Sequence, residues 1–280
     1  MKNLRTRIRS VDSTLHLTKA MGLVASSKIR RATEKAVASR RYADALLDAM
    51  AVLTADGEVA KSPYMQVRDT SRTRLIVIAG DRGLAGGYNA NVFRLVRELG
   101  EAAYYPIGKR ACERFGGEFA SSEHFSYEQA HEWAEAMCRD FENEEFDRLG
   151  IVWTRFDSML TQTATVDWVL PLTKAENAPA RTVEFEPDAA TVLTHAVCEY
   201  VAGLLTARLR ESFASEVAAR RMAMDSAGKN AQEMIDDLQL KYNRARQGAI
   251  TQEITEIVAY WLVTYSQSYQ KCDKAYVLYI

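Results

Sequence analysis

Residues 197–258 read VCEYVAGLLTARLRESFASEVAARRMAMDSAGKNAQEMIDDLQLKYNRARQGAITQEITEIV. Within this stretch Met224, Ala227, Ala231, Met234, Leu238, Tyr242, Ala245 and Ala249 recur at gaps of three and four. That spacing places a narrow apolar seam along one side of an α-helix. No Pro interrupts it, and Gly stands only at Gly203, Gly228 and Gly248. At a rise of about 1.5 Å per residue the segment would run roughly 90 Å. A compact domain of this chain's size is only about 40–45 Å across. Such a helix is expected to outgrow its own domain and to need a partner.

The partner pattern lies at the other end of the chain. Leu4, Ile8, Val11, Leu15, Thr18, Gly22, Ala25, Ile29, Ala32, Ala36, Ser39, Ala43, Leu46 and Met50 alternate gaps of four and three without a break. The period is that of a left-handed coiled coil. Two such helices with different sequence between them predict an antiparallel pair carrying an inserted domain. The middle of the N-terminal seam (Thr18, Gly22, Ala25, Ala32, Ala36, Ser39) is small. Small residues let backbones approach closely but bury little, at about 0.8 kcal/mol per missing methylene. The seam reads either as a tight helix–helix contact and nothing more, or as a shaft that its surroundings help to hold.

Composition narrows the classes. The chain has 280 residues, is 48% hydrophobic and 26% charged, and carries a net charge of −1, which fits one or two soluble domains. No run approaches 18 consecutive apolar residues, so a transmembrane helix is not expected. The N-terminus enters the heptad pattern at once, without a signal-type or transit-type leader, which points to a bacterial-type cytoplasm. Cys112, Cys138, Cys198 and Cys272 are widely spaced and form no C-x-x-C, and they read as structural thiols in a reducing compartment. His16, His124, His131 and His195 make no ligand cluster with them. Residues 1–41 hold eleven Lys and Arg against Asp12 and Glu34, a net of +9 that leaves −10 for the rest. A basic helix of this kind suits an acidic protein partner or nucleic acid, or is a solvated face. Nucleic acid is disfavoured, because these charges share the helix with an unbroken seam.

Between the helices the pattern is mixed α/β. Asp56-Gly57 and Ser62-Pro63 break the first helix, and Asp69–Arg74 reads as a loop. Leu75–Ala79 is a β-branched buried strand, followed by the glycine-rich turn Gly80–Asn89 and an amphipathic helix through Val92, Phe93, Leu95, Val96 and Leu99. The turn lacks both G-x-x-x-x-G-K-[ST] and G-x-G-x-x-G, so a tight structural turn is expected in preference to a phosphate cradle. Further strands are expected at Ala103–Ile107, Ile151–Phe156, Thr163–Leu170 and Thr182–Phe185. Helices are expected at Lys109–Phe115 and Tyr127–Phe141, the latter with Ala130, Trp133, Ala134, Met137 and Phe141 inward. The domain reading is a coiled-coil helix over 1–55, an α/β domain over 70–190, a coiled-coil helix over 191–258, and an aromatic-rich extension over 259–280. No Ser/His/Asp set, no marked carboxylate pair and no metal motif are present in the sequence. No catalytic residue, cofactor or metal is expected.

Four stretches resemble a known family: TKAMGLVASSKIRRA (Thr18–Ala32), GDRGLAGGYN (Gly80–Asn89), FDSMLTQTATVDWVLPL (Phe156–Leu172), and ESFASEVAARRMAM with LQLKYNRARQGAITQEITEI between Glu211 and Ile257. The chain resembles the gamma subunit of F-type ATP synthases over residues 1 to about 258. The resemblance implies that the two terminal helices pair in antiparallel fashion with a small Rossmann-like α/β domain inserted between them. They would form a central rotor stalk inside a hexamer of alpha and beta subunits, with the α/β domain against epsilon and the c ring. It implies coupling of proton flow to ATP synthesis or hydrolysis without an active site of its own. The expected place is the cytoplasmic face of a bacterial membrane, reached only through the complex, with no nucleic-acid partner. Lys19 and Met21 match the Lys-Ala-Met motif, in which the Met faces an acidic loop of beta. Arg220, Arg246, Gln247, Thr251 and Glu253 match positions implicated in coupling. On the residues alone, each of these reads as an exposed polar helix position.

Two departures stand out. Gly22-Leu23 replaces the usual second Met, and Gly inside a helix costs about 1 kcal/mol against Ala. Relatives generally end soon after the Ile-Thr-x-Glu-Ile motif, whereas Ala259–Ile280 continues for 22 residues. There Trp261, Tyr265, Tyr269, Cys272, Tyr276 and Tyr279 keep helical gaps. Its readings are a tail at the apolar sleeve of the hexamer that modulates rotation, a frayed end, or a reading-frame error. A scaffolding coiled coil without rotation, and a nucleic-acid-binding coil, remain the competing functions.

Overall fold

The computed structural model describes residues 2–68, 72–174 and 183–276, with side chains described as far as Leu262. The elements run α1 (Lys2–Ala55), two 3-10 turns (Glu58–Lys61 and Pro63–Met65), β1 (Thr73–Ile78), α2 (Tyr88–Leu99), β2 (Ala103–Ile107), α3 (Lys109–Phe115), α4 (Tyr127–Glu142), β3 (Arg148–Phe156), β4 (Gln162–Leu170) and α5 (Ala189–Tyr276). Contacts group into two units, one of residues 1–19 with 226–280 and one of residues 20–225.

The larger unit is a four-stranded sheet in the order β2-β1-β3-β4. β1 lies parallel to both β2 and β3, and β4 returns antiparallel to β3. Parallel neighbours require crossovers, which α2 supplies from β1 to β2 and α3 with α4 supply from β2 to β3. The period of two sorts β1 onto two cores. Leu75 and Val77 pack with Val92 and Val96 of α2 and Ala111 of α3. Ile76 and Ile78 pack with Ala134 and Phe141 of α4 and with Leu193, Val197 and Leu205 of α5. Burial on both faces explains why β1 reads as a continuous β-branched run rather than an alternating one. α4 starts at a capping box: Ser126 Oγ accepts from Gln129 N at 3.2 Å, and Gln129 Oε1 accepts from Ser126 N at 3.0 Å.

α1 joins this unit antiparallel to α5, since its contacts climb in number as those on α5 fall. Arg221 Nη1 donates to Gly22 O at 3.1 Å, Ala32 and Ala36 pack on Ala214, and Arg210 Nη1 donates to Ser39 Oγ at 2.8 Å. At Gly203 the side chains of α1 fill the space beside α5: an added Cβ would stand 2.3 Å from Leu46 Cδ1 and 2.9 Å from Tyr42 Cε1. Ala43, Met50 and Leu53 complete the core under the sheet. In the smaller unit Val11 and Leu15 pack on Ala231 and Ile235.

Burial along α1 follows the expected seam: Leu15, Thr18, Gly22, Ala25, Ala32, Ala36, Ser39, Ala43 and Met50 are all buried. On α5 the seam differs at two positions, Met234 and Ala245, both of which are exposed. Met234 is 46% exposed and Ile235 is 5% exposed. A seam through Ala231, Ile235, Leu238 and Tyr242 keeps the four-three-four alternation, which Met234 would break. Several expected bounds also shift. α5 begins at Ala189 rather than Val197, because Leu193 belongs to the sheet core. The expected loop 69–74 ends sooner, as Thr73 and Arg74 pair with Arg148 and Leu149 of a longer β3. No strand forms over 183–185; Thr182 lies outside the described residues, as do the side chains of Tyr265, Tyr269, Cys272, Tyr276 and Tyr279. The most apolar 18-residue window of α5 has a mean hydropathy of 1.3, and 56% of it is buried in the protein's own interior, as in a core helix.

Candidate functional site

The loop after β1 meets the start of α3 beyond the carboxyl ends of β1 and β2, on the side of the sheet where open α/β folds bind ligands. Here the chain itself occupies much of that place. Asp81 is the tie. Its carboxylate accepts from Lys109 N at 3.1 Å, Ser122 N at 3.0 Å, Glu123 N at 3.3 Å and Ser121 Oγ at 2.6 Å. Burial pushes its pKa up, but these donors outweigh burial and the net shift is downward. The turn needs its glycines for space and handedness: Gly86 has φ +57, and a Cβ at Gly80 would stand 2.7 Å from the Glu216 carboxylate. With Asp81 and Glu216 both at its edge, the turn is poorly suited to phosphate, in line with its reading as a structural turn.

α5 faces this end of the sheet with polar side chains. Glu211, Ser212, Ser215 and Glu216 are all buried. Ser212 Oγ accepts from Thr154 N at 2.9 Å, and Ser215 Oγ donates to Thr154 O at 3.1 Å. Glu211 Oε1 accepts from Phe156 N at 3.2 Å and from Arg40 Nη2 of α1 at 2.5 Å. Glu216, whose side chain is 4% exposed, pairs with Arg220 one turn on. Arg220 Nη2 also reaches Gly83 O at 3.4 Å. Burial raises the Glu216 pKa, opposed by Arg220. The motif thus satisfies the open backbone at the end of β3 and fixes how α5 sits on the sheet.

Between α1, α5 and the turn lies a cleft of about 480 Å³, walled by Met21, Val24, Phe213, Val217 and Leu84 with Lys28 and Arg220 at its edges. Lys28 Nζ donates to Glu123 Oε1 at 2.5 Å across it. Of the expected coupling residues, Met21 and Arg220 come together here in the larger unit. Lys19, Arg246, Gln247, Thr251 and Glu253 fall in the smaller unit and are all exposed. There Thr251 Oγ1 donates to Gln247 O at 2.9 Å. The buried quartet of 211–216 was not singled out as a site from sequence, because its partners lie more than fifty residues away; the only local signal was the i,i+4 spacing of Glu216 and Arg220.

Among the described residues no cluster of three or more His, Cys, Asp or Glu could hold a metal ion.

The family model described as ATP synthase matches residues 1–259. The ATP synthase gamma chain of Ruminococcus albus is 40% identical over 275 residues, covering 92% of this chain and 96% of that one. The sodium ion specific ATP synthase gamma chain of Acetobacterium woodii is 36% identical, with the same two coverages. Among solved structures, a chain of the Euglena gracilis mitochondrial ATP synthase aligns with a TM-score of 0.62 at 17% identity, covering 95% of each chain. A chain from the central stalk and c ring of the Tetrahymena thermophila enzyme aligns at 0.58 and 20% identity, covering 75% of this chain and 99% of that one. With paired terminal helices around a four-stranded α/β unit, and a family match across nearly its whole length, the chain belongs to the gamma-chain family of ATP synthases.

Proposed function

We propose that the chain is the central rotor stalk of an F-type ATP synthase, a subunit without an active site that couples ion flow through the c ring to ATP synthesis or hydrolysis in a hexamer of alpha and beta subunits. The observation that carries this reading is the pairing of the two chain ends. α1 and α5 run antiparallel on a seam of Ala, Gly, Ser and Thr, and α5 is fixed to the sheet by buried polar contacts. A torque applied to the α/β unit passes to the helices through those contacts. The basic face of α1 suits an acidic beta loop. Exposed pairs contribute only about 0–1 kcal/mol each, so contacts can be made and broken at each step. The α/β unit would rest on epsilon and the c ring at the cytoplasmic face of a bacterial membrane, with protons as the coupling ion. One relative's name specifies sodium; the choice between ions lies in the c ring, and stimulation of activity by sodium at constant pH would replace the proton assignment.

Met21 and Arg220 would face beta at the cleft, while Lys19, Arg246, Gln247, Thr251 and Glu253 of the smaller unit would also contact the hexamer. The residues past 258 would reach its apolar sleeve. Reconstitution with alpha and beta subunits tests the whole: ATPase activity is expected to depend on this chain. Met21→Lys is then expected to lower coupled ATP synthesis while leaving the chain folded, and unchanged synthesis would remove the role of that position. Deleting 259–280 is expected to alter hydrolysis; unchanged hydrolysis and ion pumping would leave the tail without a function in rotation.

A further inference from the structure

The cleft between α1, α5 and the turn after β1 is built from the larger unit alone. Its volume of about 480 Å³ falls in the range of about 300–1,000 Å³ usual for small-molecule sites. Ala20 and Ala25 on α1 and Gly83 on the turn line it with groups too short to reach across. At Gly83 an added Cβ would already lie 3.2 Å from Arg110 Nη2. The walls are apolar and partly bare: Val24 is 56% exposed and Leu84 is 62% exposed. Met21 and Phe213 extend the same wall, and the unbranched thioether of Met21 adapts to varied shapes.

The charges around the cleft are arranged asymmetrically. Lys28, Arg82, Arg110 and Arg220 line it against Asp81, Glu123 and Glu216, a net of +1. All three carboxylates are engaged within the chain: Asp81 by its four donors, Glu123 by Lys28 at 2.5 Å, and Glu216 by Arg220. The unmatched cation is Arg82, which is exposed and has no carboxylate partner among the described residues. Arg110 meets Glu113 at 2.8 Å in an exposed pair on α3, a weak tie that a ligand can replace. We propose that the cleft binds an amphiphilic monocarboxylate of the medium-chain fatty-acid class. Its hydrocarbon chain lies on Met21, Val24, Leu84 and Phe213, and its carboxylate meets Arg82 and Arg110 beside Gly83. A guanidinium fork suits a carboxylate in both charge and geometry. One negative charge matches the surplus of one, whereas a phosphate dianion would face the carboxylates of Asp81, Glu123 and Glu216. A cationic amphiphile would meet the surplus charge with the same sign. The proposal does not rest on the rotor reading, since every group it uses belongs to this chain.

The test titrates the full chain at pH 7 with decanoate below its micellar range, by calorimetry, with decanol and decylammonium as neutral and cationic counterparts. Decanoate is expected to saturate one site per chain and to bind about tenfold more tightly than decanol, with decylammonium weakest. Arg82→Gln is expected to weaken decanoate about tenfold and to leave decanol unchanged. Val24→Glu, at an exposed wall position, is expected to weaken both decanoate and decanol, with the urea midpoint of the chain unchanged. The exposed apolar end of α5 is the competing place for an amphiphile, with Ile254 57% exposed and Ile257 68% exposed. Ile257→Glu is therefore expected to leave decanoate binding intact. Equal binding of the three amphiphiles, decanoate binding that Arg82→Gln leaves unchanged, or binding lost in Ile257→Glu but kept in Val24→Glu overturns the proposal. So does binding to phosphatidylglycerol vesicles without binding to free decanoate. The comparison of the three amphiphiles on the wild-type chain stands whether or not the variants fold.

Discussion

Replacing Arg220 by Met should expose how much the chain relies on a buried charge pair. Glu216 has a side chain only 4% exposed and Arg220 only 14%. A pair of unit charges about 4 Å apart at an effective dielectric constant near 20 attracts by about 4 kcal/mol. Removing one member of a buried pair costs about 3–5 kcal/mol, because the other is left charged and unsolvated. Glu216 has an escape: it can take up a proton. Its folded-state pKa is already raised by burial and by the nearby Asp81 and Glu123 carboxylates, with Arg220 working the other way. Met at position 220 removes the opposing influence, so the pKa rises further. A carboxyl with a raised folded-state pKa supports folding below its unfolded value and loses that support as pH climbs through the folded-state pKa. Each tenfold change in proton affinity between the folded and unfolded chain is worth about 1.4 kcal/mol. The Arg220→Met penalty should therefore be small near pH 5 and should reach about 3–5 kcal/mol near pH 8. Urea unfolding of the full chain at the two pH values measures it. Adding Glu216→Gln should recover most of the loss at pH 8 and flatten the pH dependence. A penalty equal at both pH values, or no recovery in the double variant, would refute the assignment of Glu216 as a buried charge held by Arg220.

Three further outcomes follow from the same geometry. Gly108→Ala is expected to destabilise the α/β unit by about 3 kcal/mol or more, since φ is +96 and the new Cβ would lie 2.0 Å from Ala79 O; an unchanged urea midpoint would contradict this placement. Asp81→Asn turns an amide toward some of the donors that now meet a carboxylate, and is expected to cost about 1–3 kcal/mol at pH 7. Because the Asp81 pKa is held down in the fold, wild-type chain should lose this contribution as pH falls through that lowered pKa, and the variant should show a weaker acid limb when unfolding is followed from pH 6 to pH 2. Ser126→Ala removes the side-chain half of the α4 capping box and should cost about 1 kcal/mol, read as a shift in urea midpoint with no change in slope.

The paired helices were legible because their signal is local and repeated. Fourteen heptad positions on α1 need no knowledge of the fold; nine of them are buried and the other five half-buried. The same local rule erred at Met234, where counting by three instead of four picked the neighbour of the true seam residue, Ile235. The start of β1 was missed because Thr73 and Arg74 are polar: their place in the sheet comes from β3, about 75 residues later. The buried quartet Glu211, Ser212, Ser215 and Glu216 was illegible for a related reason. Polar residues on a helix read as a solvated face unless the backbone groups they satisfy are already known, and here those belong to Thr154 and Phe156. The exposed residues Arg246, Gln247, Thr251 and Glu253 have no packing that would single them out; they came from resemblance alone.

The core under the sheet joins Ala43, Met50 and Leu53 to Leu193, Val197 and Leu205. On the ribosome these two sets emerge well over a hundred residues apart. At about 5–20 residues per second, the N-terminal helix waits on the order of ten seconds or more for its mate. During that interval Met50 and Leu53 are bare while the strands between them and α5 are still being made. Its sparse seam of alanine and serine offers little for a stray neighbour to grip, which gives the nascent chain a way to remain unentangled until translation ends.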